Sequence, residues 1–397
     1  MNKIMNTMLK NDFIIPNYNN PNIVDLMRAI YCKYNIKTEI NKNVETFKKL
    51  IPNNKHVLFI LSDGTGSNLI DDLNDDSILK RNKKDDIITV FPSTTACVLT
   101  SLVTAEFPEI HGIWGWFNYD KNLNIDYCPL LFCDRKTETN LLDYGIEPKK
   151  VFLQHSLLNN LKTNVNVLFP KYIYDSVYSN FVVNKENRHS YNDFNEIVNF
   201  IKENCQNKSE SYTYLYLPDI DTLEHENGID SKIVKDKLEE IENLIKKICK
   251  NKDLTIIFTA DHGQINITKD VILDFEEYNN MFYAYPSIDY GTASYHIKKG
   301  YEIAFEKSFK KKYKGDMLLF KTEDLINNNF FGIGNFKASA KDNLGEYISI
   351  CRKGRYLIND LNVEKYYGKI KGNHSGLSYD EMMIPLIIID TNNEINN

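Results

Sequence analysis

The sequence has no Cys-x-x-Cys pair, and its seven cysteines are scattered along the chain. An odd, widely spaced set of this kind argues against a disulfide framework and against a cysteine-bound zinc site. Unpaired cysteines are usual in a reducing compartment, so we expect a cytoplasmic protein. The cysteines are Cys32, Cys97, Cys128, Cys133, Cys205, Cys249 and Cys351.

Long apolar runs are also missing. No stretch approaches the roughly 20 apolar residues that a membrane-spanning helix needs. The N-terminal stretch MNKIMNTMLKNDFIIPNYNN contains no apolar run long enough for a secretory signal. We therefore expect a soluble protein without a membrane partner.

The chain has no excess of positive charge, since its formal net charge is −6. General nucleic-acid binding depends on a basic surface, so we expect no nucleic-acid polymer as a partner. A small anionic substrate remains possible if metal ions supply positive charge at the site.

Four apolar runs each end in a short polar segment. They are HVLFIL before SDGTG, IITV before FPSTT, YTYLYL before PDIDTLEH, and LTIIF before TADHG. Buried strands that alternate with helices predict an α/β fold with a doubly wound, mostly parallel sheet. Such sheets bind ligands at the carboxyl ends of their strands. Asp63, Thr95, Asp221 and Asp261 each fall just past a predicted strand end.

Changes in pattern predict the domain organisation. Residues 1–52 are polar and read as an N-terminal extension that packs on a catalytic domain of residues 53–397. The alternation of strands and helices breaks at about 265–370, where we predict a small α+β insertion or cap over the site. The aromatic segment up to about Tyr144 is expected to be irregular. Further predicted elements are helices over 23–34, 96–105, 151–161, 193–204, 231–250 and 301–313, and strands over 165–168, 292–297, 317–320 and 383–389.

The turn Ser93-Thr94-Thr95 places hydroxyl groups at the start of a predicted helix. Free backbone N–H groups and the positive end of the helix dipole suit a phosphate at that point. Taken alone, a hydroxyl there is usually an N-cap. The other polar residues at the strand ends favour the functional interpretation.

Three carboxylates, three imidazoles and one hydroxyl form the candidate metal-binding set. Together they are what two zinc-like ions require, although each one alone could be a cap or a core group. Asp221 and His225 are one helical turn apart. The adjacent Asp261 and His262 are expected to diverge toward two different ions. The full set is Asp63, Thr95, Asp221, His225, Asp261, His262 and His374.

These segments resemble the alkaline phosphatase superfamily, in its type I phosphodiesterase/nucleotide pyrophosphatase branch. The matching pieces are LFILSDG, VFPSTTA with TSLVTAEFPEIHG, PDIDTLEHENG, FTADHG and NHSG. They cover about residues 55–390 in the family's order. The ADHG piece and the PSTTA…PEIHG pair are the most specific.

The resemblance implies a role for each residue of the set. Thr95 is the expected nucleophile, and its oxygen shares a metal ion with Asp63, Asp261 and His262. A second ion is expected on Asp221, His225 and His374, and both ions are expected to be zinc. His111, in the EIHG piece, is expected to be structural.

The implied activity is cleavage of phosphodiester or pyrophosphate bonds in a small phosphorylated substrate, through a covalent phosphothreonine. Val98 occupies a position where many nucleotide-cleaving relatives carry an asparagine, which weakens the case for a nucleotide. No lysine or arginine occurs between Lys84 and Lys121, which disfavours monoesters unless an arginine reaches the site from elsewhere. The alternatives are a phosphonate (C–P) hydrolase, a phosphomonoesterase and a catalytically inactive binding protein of the same fold.

Overall fold

The computed structural model describes residues 3–394. Within this part of the chain, a seven-stranded sheet with the order β2-β7-β6-β1-β5-β3-β4 forms the centre of the molecule. Its strands are β1 His56–Ser62, β2 Lys83–Ile88, β3 Asn164–Pro170, β4 Arg188–Tyr191, β5 Ser211–Leu217, β6 Leu254–Thr259 and β7 Met383–Asp390.

Strand direction explains where the sheet can bind a ligand. Strands β1, β3, β4, β5 and β6 pair in parallel, and β7 runs antiparallel to both β6 and β2. Because β7 is reversed, the segment that precedes it lies at the same edge as the carboxyl ends of its neighbours. The predicted α/β class with a mostly parallel sheet is confirmed. The reversed strand β7 brings the residues before its N-terminal end to the same edge.

Strand β1 shows why both faces of the sheet are covered. All of its residues are buried. Val57, Phe59 and Leu61 belong to the apolar core on one face. Leu58 and Ile60 belong to the core on the other. Alternate side chains of a strand point to opposite faces, so a continuous apolar run needs helices on both sides.

Seven helices within residues 3–394 have eight or more residues. Helices α1 and α3 contribute to the core on one face, and α4 and α6 to the core on the other. The seven are α1 Ile23–Lys33, α2 Lys42–Leu50, α3 Thr95–Thr104, α4 Phe194–Cys205, α5 Asp219–Asn227, α6 Lys232–Ile248 and α7 Glu302–Lys312. Shorter α-helices span Lys3–Leu9, Ser67–Asp71, Ile78–Arg81, Pro108–His111, Pro148–Val151, Val177–Val182, Phe275–Tyr278, Thr322–Ile326, Ala338–Lys341, Tyr379–Met382 and Thr391–Glu394.

The helix predicted over 151–161 is wrong. The α-helix Pro148–Val151 ends there, and only a 3₁₀ turn, Leu158–Asn160, follows. Backbone and side-chain groups in this segment form hydrogen bonds to residues distant in sequence instead of to the preceding helical turn. The Leu157 amide donates to the Val103 carbonyl at 2.8 Å, and the Ser156 hydroxyl donates to the Val182 carbonyl at 2.6 Å.

The aromatic segment before Tyr144 is less irregular than expected. It contains a three-stranded antiparallel sheet of Asn118–Asp120, Ile125–Cys128 and Cys133–Asp134. Alternating polar and apolar residues are too few in such short strands to give a clear period-two pattern.

Residues between β6 and β7 form smaller sheets with an apolar core of their own. Helix α7 packs into this core through Phe305 and Phe309. The larger sheet has the order Ser287–Ile288, Thr292–Tyr295, Tyr347–Cys351 and Met317–Lys321, all antiparallel. Two-stranded pairs join Ile265–Asn266 to Gly372–Asn373 and Lys269–Ile272 to Arg355–Ile358. This α+β composition matches the expectation for the region, while the domain boundaries stay a prediction.

Helix α3 is held at its C-terminal end by segments distant in sequence. The hydroxyl of Tyr31, in α1, donates to the Leu102 carbonyl at 2.8 Å. The Arg28 Nε donates to the Ala105 carbonyl at 3.1 Å. Carbonyls in the last turn of a helix have no partner within the helix. The polar N-terminal segment therefore fixes the helix that begins at Thr95.

None of the helices within residues 3–394 is long and apolar enough to cross a membrane.

The Tyr31 hydroxyl gives a test of this anchoring. Tyr31 is fully buried, so Tyr31→Phe leaves the Leu102 carbonyl without its donor and should lower the free energy of unfolding by about 1–2 kcal/mol. Urea denaturation measures this loss. Tyr301→Phe, at a tyrosine that is 43% exposed, is the matched control and should change stability by less than about 0.5 kcal/mol. Equal stability of the two variants would contradict the anchoring role.

Candidate metal centre and nucleophile

Three loops meet at the carboxyl edge of the sheet. Asp63 directly follows β1, Asp221 lies in the first turn of α5 after β5, and Asp261 follows β6. Gly64 allows two of these loops to approach. Its φ is +76°, and a Cβ at this position would lie 2.8 Å from the Cα of Asp221. Glycine is thus needed both for the backbone angle and for the contact.

One cluster contains Asp63, Asp261, His262 and Thr95. The Nε2 atom of His262 lies 3.4 Å from Asp261 Oδ2 and 3.7 Å from Asp63 Oδ1. The Thr95 hydroxyl lies 3.1 Å from the same Nε2 atom. The expectation that Asp261 and His262 diverge is wrong, because the turn after β6 brings both side chains to one point.

A second cluster contains Asp221, His225 and His374. Asp221 Oδ1 lies 3.4 Å from His225 Nε2 and 3.8 Å from His374 Nε2. The rings of His262 and His374 stack with centroids 3.9 Å apart, so the two clusters adjoin. The ligand atoms of Asp221, His262 and His374 all lie within 4.8 Å of one another. His225 sits at the outer side, with 28% of its side chain exposed.

Backbone carbonyls orient the three imidazoles. Each Nδ1 lies within hydrogen-bond distance of a carbonyl oxygen, which can only accept, so Nδ1 carries the proton. Each Nε2 then presents a lone pair to the centre of the site, as in metal-binding histidines. The carbonyls are those of Gly263 at 3.2 Å for His262, Gly372 at 2.8 Å for His225 and Ser93 at 3.1 Å for His374.

The buried carboxylates have fewer hydrogen-bond donors around them than their oxygens could accept from. Asp63 Oδ1 and Asp261 Oδ2 are buried and have no hydrogen-bond partner among residues 3–394. Burial and the charges of Asp261 and Asp221 raise the pKa of Asp63 well above its usual value. Burial and the neighbouring histidines lower the pKa of His374, which keeps it neutral. Buried charge of this kind needs a counter-charge.

The donor set therefore fits two divalent cations. Carboxylate oxygens and neutral imidazole nitrogens are ligands that zinc accepts. The orphaned oxygens of Asp63 and Asp261 point to the place where His262 and Thr95 converge. Asp221, His225 and His374 supply the donors for a second ion.

Thr95 is the first residue of α3, and its N-cap residue, Thr94, makes no side-chain hydrogen bond to the first turn. The Thr94 hydroxyl, which could have been a cap, donates instead to Asp289 Oδ2 at 2.5 Å. The Ser93 hydroxyl donates to the Gly376 carbonyl at 2.8 Å. The N–H groups of the first turn are thus left for a ligand, and the N-cap interpretation of this turn does not hold.

Two functional neighbours of the centre were missed in the sequence. The Tyr216 hydroxyl donates to Asp63 Oδ2, and Gln264 Nε2 donates to Asp221 Oδ1 at 2.6 Å. Gln264 directly follows the ADHG piece, so its position in the sequence could have predicted that it lies beside the site. Tyr216 is one of several tyrosines in β5 and carries no distinguishing pattern.

Asp289 was also missed, and it comes from the region between β6 and β7. Besides accepting from Thr94, its Oδ1 accepts from the Tyr290 amide at 2.9 Å. Burial raises its pKa, which the bond from Thr94 offsets in part. Asp289 thereby ties this region to the turn that carries Thr95.

Two other positions have structural explanations. His111 Nδ1 accepts from the Ile113 amide at 3.1 Å, and its Nε2 donates to Ser101 at 2.8 Å. Burial lowers the pKa of His111 to about 3, so it is a neutral core residue, in accord with the structural role expected for it. Val98 is fully buried in the apolar core and does not line the cavity. The departure at Val98 therefore has no bearing on the lining of the cavity, because Val98 lies on the core side of α3.

A cavity of about 790 Å³ opens over the metal-ligand cluster. Thr94, Thr95, Asp221, His225 and His374 line its inner part. Arg135 and Lys365 also line it. The cavity therefore contains basic side chains, although none occurs near Thr95 in the sequence. Further lining residues are Trp116, Phe117, Asp289, Tyr290, Tyr356 and Tyr366.

Metal content follows from the donor set. We expect two divalent ions per chain, with zinc predominant, in protein purified without chelators, as measured by elemental analysis. Asp261→Asn removes the charge of an orphaned buried carboxylate and should reduce the content toward one ion. His155→Ala, at an exposed histidine, should keep two. Fewer than two ions in the unaltered protein after incubation with zinc would contradict the two-ion centre.

Comparisons with known proteins agree with this geometry. The family model of type I phosphodiesterases/nucleotide pyrophosphatases matches residues 57–313. Comparison with curated protein sequences gave no match.

Three solved structures illustrate the similarity in fold. Murine ectonucleotide pyrophosphatase/phosphodiesterase 5 superposes with a TM-score of 0.62 at 17% identity, covering 83% of this chain and 87% of that one. Its inactive threonine-to-alanine variant in complex with AMP gives 0.60 at 18%, covering 83% and 87%. Phosphonoacetate hydrolase from Sinorhizobium meliloti in complex with phosphonoformate gives 0.60 at 14%, covering 85% and 91%.

The family model spans more than half of the chain, and the structural neighbours share its mostly parallel sheet. The expected relationship is confirmed, together with its general chemistry of phosphoester hydrolysis. The chain belongs to the type I phosphodiesterase/nucleotide pyrophosphatase family.

Proposed function

We propose that the protein is a two-metal phosphodiesterase or pyrophosphatase in which Thr95 forms a covalent phosphothreonine. The observation that carries this proposal is the position of the Thr95 hydroxyl. It lies 3.1 Å from His262 Nε2, at the uncapped start of α3 and on the wall of the cavity. A nucleophile, a cation-binding set and free backbone donors thus meet at one place.

Two zinc ions bound to this set would lower the pKa of the threonine hydroxyl and neutralise charge on the phosphoryl group. Asp63, Asp261 and His262 would hold the ion that the Thr95 oxygen shares, and Asp221, His225 and His374 the other. The carbonyls of Gly263, Gly372 and Ser93 keep each histidine Nε2 directed inward.

Thr95 performs the first step. Its Oγ1 attacks phosphorus in line with the leaving oxygen, an O–P bond forms, and the bond to the leaving group breaks. The proton that Thr95 loses balances the one that the leaving group gains. Backbone N–H groups at the start of α3 donate to a non-bridging oxygen as negative charge develops there. In the second step a water oxygen attacks phosphorus, the bond between Thr95 Oγ1 and phosphorus breaks, and the proton that the water loses restores the Thr95 hydroxyl.

The remaining residues fix the geometry of this step. The Thr94 hydroxyl donates to Asp289, so it is not free to act as the nucleophile. Contacts of Tyr31 and Arg28 hold the far end of α3. A helix fixed at its C-terminal end keeps Thr95 at a constant distance from His262, which favours in-line attack.

Support for the threonine also comes from a structural neighbour. A threonine-to-alanine variant of the murine phosphodiesterase is described as inactive and binds AMP. A phosphonate hydrolase is the second candidate, because phosphonoacetate hydrolase shares the fold. The inactive alternative fits poorly, since all seven ligand positions face one site. We also propose a cytoplasmic location and a small phosphorylated substrate.

The nucleophile is tested by substitution. Thr95→Ala should lower kcat/KM for bis-p-nitrophenyl phosphate by several orders of magnitude, while Thr95→Ser should keep measurable activity because it retains the oxygen. Thr94→Ala is the matched control. It removes the bond to Asp289 and should cost about tenfold, equivalent to about 1.4 kcal/mol. Acid quenching and mass spectrometry should place the phosphoryl adduct on Thr95. An adduct on Thr94 or Ser93, or full activity in Thr95→Ala, would overturn the assignment.

Substrate class is tested with a panel. We expect a higher kcat/KM for bis-p-nitrophenyl phosphate than for p-nitrophenyl phosphate or phosphonoacetate, because among residues 3–394 no arginine or lysine contacts Thr95 to balance the second charge of a monoester dianion. Release of p-nitrophenol and of inorganic phosphate measures the three reactions. A higher kcat/KM for phosphonoacetate would instead support the phosphonate hydrolase.

A further inference from the structure

Two cysteines lie opposite each other on the wall of the cavity. Strand Ile125–Cys128 runs antiparallel to Cys133–Asp134, and the register pairs Cys128 directly with Cys133. Both side chains are buried, both line the cavity, and both are free thiols. Directly opposite residues of an antiparallel pair point to the same face of the sheet. The two thiols therefore face the same part of the cavity.

The register gives this pair the spacing of a disulfide. Opposite Cα atoms in an antiparallel ladder are about 4.5–5.5 Å apart, and disulfides join cysteines whose Cα atoms are about 4.4–6.8 Å apart. A bond between Cys128 and Cys133 is thus within reach without separating or sliding the two strands. Among residues 3–394 no other two cysteines lie opposite each other in a β-ladder. Cys351 pairs with Met317, and the remaining four cysteines lie in helices or at a helix end.

The exposure of the two thiols decides which one reacts first. Cys133 is 9% exposed and Cys128 is 2% exposed, so a small reagent in the cavity meets Cys133 first. Burial raises the pKa of Cys133, and the charges of Glu138 and Asp134 add to this. Burial raises the pKa of Cys128 to about 12. Both thiols are thus mostly protonated at neutral pH, and their exchange with a disulfide is slow.

The hairpin that carries the pair also contributes to the substrate side of the cavity. The turn between the two strands places Leu131, which is 60% exposed, on the cavity wall. Besides burial, the charge of Asp289 contributes to the raised pKa of Cys128, so this thiol lies near the carboxylate that accepts from Thr94. Thr95 and the candidate metal ligands belong to other segments of the chain. A change in this hairpin therefore alters the cavity wall and leaves the nucleophile in place.

We propose that Cys128 and Cys133 form a reversible disulfide, a redox modification site on the cavity wall that weakens substrate binding while it is oxidised. Disulfides of cytoplasmic proteins are usually transient and serve catalysis or redox sensing. A disulfide bond draws two sulfurs closer together than a non-bonded contact allows. It also fixes the turn that contains Leu131, which then no longer adjusts to the substrate. Formation of the bridge is independent of the proposed function, and only its effect on binding rests on that function.

The oxidant is a small-molecule disulfide, and two exchange steps form the bridge. The Cys133 thiolate attacks one sulfur of the reagent, a mixed disulfide forms, and the first reagent thiolate leaves. The Cys128 thiolate then attacks the sulfur of Cys133, the bridge forms, and the second reagent thiolate leaves. The two protons that the cysteines lose end on the two released thiols. Two cysteines are thus oxidised while the reagent disulfide is reduced.

The test treats the metal-loaded protein with bis(2-hydroxyethyl) disulfide, followed by alkylation under denaturing conditions and peptide mapping. Both cysteines fall in one tryptic peptide, residues 122–135. We expect this peptide to lose two hydrogens and to escape alkylation, while the other five cysteines form at most mixed disulfides with the reagent. Treatment with tris(2-carboxyethyl)phosphine should reverse the change.

Matched variants separate the pair from the other cysteines. Cys128→Ser should stop at the mixed disulfide on Cys133. Cys205→Ser, at a cysteine outside the pair, should still form the bridge. Free thiols or mixed disulfides on both Cys128 and Cys133 in the fully treated protein would overturn the proposal.

Kinetics of the same samples test the effect on binding. In the bridged protein, KM for bis-p-nitrophenyl phosphate should be at least about threefold higher and kcat should stay within about twofold, because the bridge removes substrate binding and leaves the chemical step unchanged. The double variant Cys128→Ser/Cys133→Ser should show no change on treatment. An equal KM in reduced and bridged protein, or a loss of kcat alone, would contradict the effect on binding. Where no diester is hydrolysed, the peptide map still decides whether the bridge forms, so failure of the proposed function is distinguishable from failure of this inference.

Discussion

The structure depends on two buried carboxylates, Asp63 and Asp261, and the partly exposed Asp221, which lie at one edge of the sheet. The protein satisfies one side of each carboxylate with its own donors, as the amides of Gly64 and His262 do for Asp261. Asp63 Oδ1 and Asp261 Oδ2, which face the centre, have no hydrogen-bond partner among residues 3–394. Such an arrangement is costly until cations bind, so folding and metal binding are expected to be coupled.

The strand order and strand directions determine which residues lie beside these carboxylates. Parallel strands bring Asp63, Asp221 and Asp261 to one edge, and the reversed strand β7 adds His374 from the opposite chain direction. The rest of the support comes from the two ends of α3. Its start is left uncapped for a ligand, and its last carbonyls are bound by Tyr31 and Leu157. The strand ends thus supply the candidate metal ligands, while the helix supplies the proposed nucleophile.

The sequence predicted the elements whose pattern is local. Continuous apolar runs indicated β1, β5 and β6, and the polar residues after them indicated the edge that binds. It failed where distant contacts decide the outcome. The residues around Leu157 form no α-helix because the Leu157 amide donates to the Val103 carbonyl. Val98 faces the core rather than the cavity. Asp289 and Arg135 left no signal, since isolated charged residues between short strands are common on any surface.

The sheet and the region between β6 and β7 contribute different residues to the site. Chemistry depends on residues at strand ends, which cannot move without disturbing the core. Asn359 and Asp289 belong instead to the region between β6 and β7. Asp289 accepts from the Thr94 hydroxyl beside Thr95, and Asn359 donates to the Asp289 carbonyl. Loops tolerate substitution and insertion better than buried strands do. Substitutions in this region can therefore change the residues beside the turn of Thr95 while the candidate ligands at the strand ends stay the same.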